Sequence, residues 1–233
     1  MNIFYAQPDQ INGQIIEITG SEAHHISRVL RYDINDELLV VDGIGHKYKG
    51  QITAISKKSV CVQILDKETL LDINGHSQRL ILGLGIIKNR QRLEFAIEKA
   101  IELGVAEIVL FNSRYSEKSN IRKERIEKIM ISAMKQSMHA VLPVLRVENS
   151  LEDVLTKNGD YKMLIAHEKY DGSTGISADI KKEKNILLLV GPEGGFSEEE
   201  VETVKKKGGE LISLGPYRLR AETAALAFLA LFL

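Results

Sequence analysis

The chain has 233 residues, 44% of them hydrophobic and 27% charged, with a formal net charge of −1. That length and balance predict one large or two modest domains with real cores and exclude disorder, and a near-neutral total confines any surface for a polyanion to a local patch. The single cysteine, Cys61, excludes an internal disulfide framework and a multi-cysteine zinc site, and suits a reducing, cytoplasmic setting with no metal.

The opening MNIFYAQPDQ has neither the basic nor the apolar run of a signal peptide, and no apolar stretch reaches membrane-spanning length, so no membrane association is expected. SEAHHISRVLRY reads as a helix capped by Ser21. In that helix His24, Arg28 and Arg31 share one face while Ile26 and Leu30 share another. Either a basic stripe for a ligand or an ordinary solvated face fits this spacing. Zinc binding by His24 and His25 is disfavoured because adjacent helical side chains diverge.

From Asp36 to Leu65 the texture is that of short strands, DELLVVDG, HKYKGQITAIS and KSVCVQIL, with Asp42-Gly43 as a turn, which predicts a small antiparallel barrel or sheet. Near residue 72 the period changes. RLILGLGI predicts a strand, and RQRLEFAIEKAIELGV a helix that buries Leu93, Ile97, Ala100 and Ile101 and ends at Gly104. The strand AEIVLFNS completes a βαβ unit. A helix over RKERIEKIMISAMKQSMHA stopping before Pro143, the strands KMLIAHE and NILLLVG, a helix from Ser197, the strand ELISLG and an apolar terminal helix follow. The expected division is 1–72 and 73–233.

Two loops stand out. LLLVGPEGGFSEEEV places a glycine-rich break carrying Glu193 after a uniformly apolar strand, with Ser197 and Glu200 as a capping box. The carboxyl end of such a strand is where open α/β sheets bind ligands. The spacing is neither G-x-G-x-x-G nor a P-loop, and a carboxylate would repel a phosphate. The loop therefore suits a hydroxyl, an amine or a cation, or is a plain strand-to-helix turn. LISLGPYRLRAETAALAFL repeats the plan with Arg218 and Arg220 before Glu222-Thr223, which fits either a ligand-binding loop or an Arg220–Glu222 ion pair.

These two loops together, with HHISRVLR, KNRQRLEFAIEKAIELGV and AMKQSMHAVLP, resemble the RsmE family of the SPOUT class of RNA methyltransferases over nearly the whole chain. The resemblance implies an α/β fold. A PUA-like RNA-binding β-barrel at 1–72 precedes a SPOUT domain at 73–233, with a mostly parallel sheet and a C-terminal trefoil knot. It implies a homodimer that uses S-adenosyl-L-methionine to methylate N3 of a decoding-region uridine in the 16S rRNA of the small ribosomal subunit. A SPOUT enzyme acting on another rRNA or tRNA nucleotide, and a non-catalytic RNA-binding module, are the alternatives. The apolar tail ETAALAFLALFL independently favours a dimer, having more apolar faces than one modest domain buries.

Carried over by residue, the cofactor pocket comprises Ala166, His167, Glu168, Gly191, Pro192, Glu193, Gly194, Gly195, Leu214, Gly215 and Leu219. A sulfonium is positive, so Glu193 beside it is no liability. Attack by N3 requires loss of an imide proton and stabilisation of the resulting anion. Arg220 is assigned the electrophilic role, and Glu193 or Glu222 that of proton acceptor or orienter. His24, Arg28, Arg31, Lys88, Arg92 and Arg114 are the expected RNA contacts, with Glu94 or Glu98 as alternative partners for Arg92. Tyr217-Arg218 and His139 depart from the commonest family form, where Arg-Ile and Arg stand.

Overall fold

The computed structural model describes residues 2–70, 78–116, 121–168 and 175–233. The chain divides into two compact units, one of Met1–Gly75 with Ile131–Leu142, the other of His76–Met130 with Pro143–Leu233. The boundary expected at 72 lies outside the described residues.

The N-terminal unit is a six-stranded sheet of β1 (Ile3–Tyr5), β2 (Ile11–Asn12), β3 (Ile15–Thr19), β4 (Glu37–Val41), β5 (His46–Ile55) and β6 (Ser59–Thr69), in the order β1-β4-β5-β6-β3-β2. Its pairings are antiparallel except β1 with β4. Period-two alternation sets the faces: in β3, Ile16 and Ile18 are buried while Ile15, Glu17 and Thr19 face water. These isoleucines meet Phe4, Ile26, Leu38, Val40, Ile52, Val60 and Val62 in one core. The turn at Asp42-Gly43 forms as expected. The buried Asp42 carboxylate accepts the amides of Ile44 and His46 at 2.9 and 3.0 Å, and Gly43 takes a φ of +77°.

The first helix departs from the sequence reading. It starts at Gly20, with Thr19 rather than Ser21 at the cap, and α1 (Gly20–His24) gives way to a π-helical turn over His25–Val29. Ser27 turns its hydroxyl back onto the Ala23 carbonyl at 2.8 Å, and the Leu30 amide reaches the carbonyl of His25 at 2.9 Å. Arg31 then adopts a left-handed φ of 56°. The helical spacing that aligned His24, Arg28 and Arg31 is thus not built, although all three are exposed while Ile26 is buried.

The C-terminal unit holds β7 (Arg79–Gly85), α2 (Arg90–Glu102), β8 (Glu107–Phe111), α3 (Lys123–Gln136), β9 (Val144–Glu148), α4 (Leu151–Lys157), β10 (Lys162–Ala166), β11 (Asn185–Val190), α5 (Glu198–Lys206), β12 (Glu210–Ile212) and α6 (Ala221–Ala230). The last residues of α3 belong to the N-terminal unit. The six strands run parallel in the order β12-β10-β11-β7-β8-β9. α2 starts at an Asn89 side-chain cap and is followed by Gly104 at φ +81°, as its sequence predicts. α3 ends earlier than expected, because Met138 takes a φ of +64° and the Ser137 hydroxyl bonds the Ala133 carbonyl at 2.8 Å. β9 and α4, which the sequence reading did not separate, complete the edge.

β11 is central and apolar on both faces, with Ile186 to Val190 all buried. On one face Leu187 and Leu189 pack with Val154 and Leu155 of α4 and Val201 and Val204 of α5. α6 lies on β7 and β11 and packs against α2. Each such fully buried leucine contributes roughly 1.5–3 kcal/mol relative to exposure, so the sheet is a rigid base for the loops at its carboxyl edge.

Candidate active site

The loops that leave β8, β10, β11 and β12 at their carboxyl ends line one cleft of about 1260 Å³. Ala166, His167, Glu168, Gly191, Pro192, Glu193, Gly194, Gly195, Leu214, Gly215 and Leu219 all line it, together with Arg92, Arg114 and Arg220. Of the expected residues in this unit, two do not line it. Glu222 is buried beneath it, and Lys88 presents its backbone amide to the Glu193 carboxylate at 3.1 and 3.3 Å. His24, Arg28 and Arg31 belong to the other unit, where His24 shares a groove with Glu17, Thr19, Lys57 and Lys58.

The glycine loop is held from several sides. A turn closes between the Pro192 carbonyl and the Gly195 amide at 2.8 Å, and Gly195 has a φ of +70° that disfavours a β-carbon. At Gly194 a β-carbon would stand 2.7 Å from that of Tyr115, so the loop after β8 rests directly on the glycine. Glu200 joins the two. Its carboxylate accepts the Ser197 amide at 2.8 Å as the predicted capping box, the Ser113 hydroxyl at 3.1 Å and the Arg114 amide at 3.0 Å. Phe196 stacks on Phe111 below, with ring centroids 6.3 Å apart. One glutamate read as a local cap therefore also ties down a loop 86 residues away.

The basic loop is arranged differently. Arg218 pairs with Glu168 at 3.0 Å, while Arg220 occupies the cap position of α6 with its side chain exposed. The local Arg220–Glu222 pair is not formed. Glu222 instead offers one carboxylate oxygen to Arg92 at 3.5 Å, and its other oxygen is buried without a hydrogen-bond partner. The N-terminal end of α6 favours a carboxylate at that position. Arg92 is free for this contact because its expected partners are taken. Glu94 accepts from both Arg125 and Arg90, and these bonds, that of Arg125 foremost, hold its carboxyl down at about 2. Glu98 lies 2.8 Å from Lys99.

Sequence reasoning passed over Tyr115 as a lining residue, and it covered Tyr217 and Arg218 only as part of the span Leu214 to Leu219. An aromatic next to an arginine in each loop, Arg114-Tyr115 and Tyr217-Arg218, was the available signal. Among the described residues no group of three or more His, Cys, Asp or Glu is placed to hold a metal ion.

Comparison with known proteins agrees with this geometry. Residues 74–233 match the RNA methyltransferase domain family, and residues 18–65 the RNA methyltransferase PUA domain family. Ribosomal RNA small subunit methyltransferase E of Rickettsia conorii is 33% identical over 94% of this chain and 89% of its own length. The Bacillus subtilis protein of the same name is 30% identical over 90% and 86%. Among solved structures, a probable rRNA-methyltransferase from Porphyromonas gingivalis superposes with a TM-score of 0.88 at 35% identity, covering 99% of this chain and 96% of that one. The ribosomal RNA small subunit methyltransferase E of Neisseria gonorrhoeae, bound to S-adenosyl methionine, gives 0.85 at 28% identity, covering 99% and 95%. With its parallel sheet, its cleft at the carboxyl edge and near full-length likeness to these proteins, this chain belongs to the RsmE family of RNA methyltransferases.

Proposed function

We propose that the chain transfers the methyl group of S-adenosyl-L-methionine to N3 of a uridine in the decoding region of 16S rRNA, within the small ribosomal subunit. The observation that carries this reading is the meeting of an acidic glycine loop and an arginine-bearing loop in one cleft. The cleft suits the cofactor. It is large enough for a nucleoside-sized ligand beside a base, it carries Glu168 and Glu193 for a positive ligand, and Gly194 and Gly195 bring backbone close. When bound, S-adenosyl-L-methionine supplies an electrophilic methyl on a sulfonium. Glu168, Gly191 to Gly195, Leu214, Gly215 and Leu219 would hold it. The names of the relatives support the substrate class, and the cofactor-bound relative supports the donor.

The residues divide the remaining work. Arg220, exposed at the cleft and without a carboxylate partner among the described residues, stabilises the anion that develops on the uracil ring as N3 loses its proton. Glu193 lines the cleft as the proton acceptor. Glu222, buried and turned to Arg92, acts as an orienter that presents that guanidinium to RNA. His24, Arg28 and Arg31 of the N-terminal unit, with Lys88, Arg92 and Arg114, neutralise phosphates.

The homodimer belongs to the same proposal. Leu226 and Ala227 of α6 and Leu231 just after it are only half-buried, Leu233 is exposed, and Phe95 on the adjoining α2 is exposed as well, leaving apolar surface that a second copy would cover. The C-terminal trefoil crossing is part of the same proposal and rests on membership of the family. Among the described residues no helix is long and apolar enough to cross a membrane, which accords with a cytoplasmic enzyme.

Labelled S-adenosyl-L-methionine, small ribosomal subunits lacking the modification and the purified chain provide the test. Nuclease digestion should place the label in N3-methyluridine at one decoding-region position. Label on another nucleotide, or in tRNA alone, transfers the reading to a different SPOUT substrate, and no transfer overturns it.

A further inference from the structure

We propose that Tyr115 and Tyr217 form an aromatic stacking platform at the mouth of the cleft for unpaired bases of the RNA substrate. The proposal rests on the RNA-methylating reading above and adds to it the way in which the nucleic acid is gripped.

Tyr217 is 83% exposed and Tyr115 53% exposed, and both line the same cleft from different loops. Ile15, Val29 and Leu65, exposed elsewhere, are aliphatic, whereas the two at this cleft are rings with a flat face to offer a base. The backbone under Tyr115, by contrast, is tied down. The β-carbon of Tyr115 rests against Gly194, and Glu200 binds the amide of the preceding residue. Beside Tyr217, Arg218 is pinned to Glu168 at 3.0 Å. Tyr115 is therefore a free ring on an anchored support, an arrangement that loses little conformational entropy when a flat ligand lands on it.

Each tyrosine has an arginine as its chain neighbour, and each of those arginines is already paired with a glutamate, Arg114 with Glu199 and Arg218 with Glu168. Rings set beside guanidinium groups fit a single strand, whose bases stack on the rings; both ion pairs are solvent-exposed, so phosphates can compete with the glutamates for the cations. An apolar protein surface would instead favour aliphatic neighbours, and here the neighbours are charged. The phenolic hydroxyl plays no part in such stacking, so the chemistry asked of position 217 is a ring.

The test uses the full chain with small ribosomal subunits. Tyr217→Ala should raise the KM for the subunit about ten-fold, the order of one lost base stack, while the Kd for S-adenosyl-L-methionine stays within about two-fold. Tyr217→Phe should restore the wild-type KM, an outcome that loss of a tyrosine hydrogen bond would not give. An unchanged KM in Tyr217→Ala overturns the platform. A weakened self-association with unchanged RNA affinity does so as well, by making the ring a subunit contact. Fluorescence anisotropy with a short unstructured RNA separates the two levels of the proposal. Binding that depends on Tyr217 without methyl transfer would sink the methylation reading and leave the platform standing; methyl transfer with an unchanged KM would do the reverse.

Discussion

Two polar regions of the C-terminal unit are built to opposite rules. Where β7, β8, β9 and α4 meet, Glu107 bonds both Arg79 and Arg146. Arg146 also reaches Glu148 at 3.3 Å and Asn158 at 3.0 Å, and Lys157 closes the set on Glu148 at 2.6 Å. Glu107, Glu148 and Asn158 are buried, and every charge has a partner. At the carboxyl edge of the same sheet, Arg220 stands exposed, Tyr217 lies open to water and one Glu222 oxygen is buried with no partner. A buried charge without full compensation is expensive, so a fold that satisfies one cluster completely and leaves another open has kept the open one for something else. The difference separates polar groups that stabilise from polar groups that wait for a ligand.

That division is best broken first at the closed cluster. Glu107→Ala removes the carboxylate shared by Arg79, which is exposed, and Arg146, which keeps Glu148 and Asn158. It should lower stability by about 2 kcal/mol in urea titrations, while methyl transfer per folded molecule stays unchanged. A loss of activity without a loss of stability would erase the distinction between the regions. Gly195→Val comes next. A β-branched residue at φ +70° should introduce on the order of 1–3 kcal/mol of strain and abolish cofactor binding in calorimetry. Among the described residues, chain neighbours aside, no atom lies within 4 Å of a β-carbon built there, so the effect is expected from backbone angle or from the ligand itself. Gly195→Ala, with less bulk at the same φ, should keep part of the affinity if the ligand is the cause.

Smaller effects sharpen the comparison. Ser197→Ala removes the cap of α5 and should lower stability by about 1 kcal/mol in thermal melts, with a weaker cofactor because the glycine loop precedes that cap. Glu94 supplies the mildest test. Its carboxyl is held at about 2 against an ordinary 4.5, so its ion pairs contribute stability that is fully present above pH 4.5 and lost as the pH falls toward 2. The Tm difference between wild type and Glu94→Gln should therefore be constant above about pH 5 and vanish near pH 2. A difference that persists at the acid end would mean that the glutamine disturbs packing instead.

How much could be seen in advance depended on how local the physics was. The stop of α2 at Gly104, the box of Ser197 and Glu200 and the apolar run of β11 are written within a few residues, and each formed where the sequence places it. β1 and β2 are too short to show alternation, the exposed Ile15 blurs it in the sequence of β3, and β9 with α4 lay between stronger signals. The π-helical turn depends on a hydroxyl folding back, which a rule of constant helical spacing does not contain. At the site, the two loops and nearly all their lining residues were legible because glycine, proline and arginine cluster there. The partner of Arg92 was not, since Glu222 is 130 residues distant and nearer glutamates looked equally suitable. The second duty of Glu200 was hidden in the same way.

The role proposed for Arg220 is where the open region is tested most directly. Single-turnover methyl transfer by Arg220→Ala, at saturating RNA and saturating S-adenosyl-L-methionine, should be slower by roughly 10²-fold, with cofactor affinity by calorimetry within about two-fold of wild type. A normal rate once the cofactor is forced to saturation, with the loss confined to cofactor affinity, would make Arg220 a wall of the pocket and contradict the account.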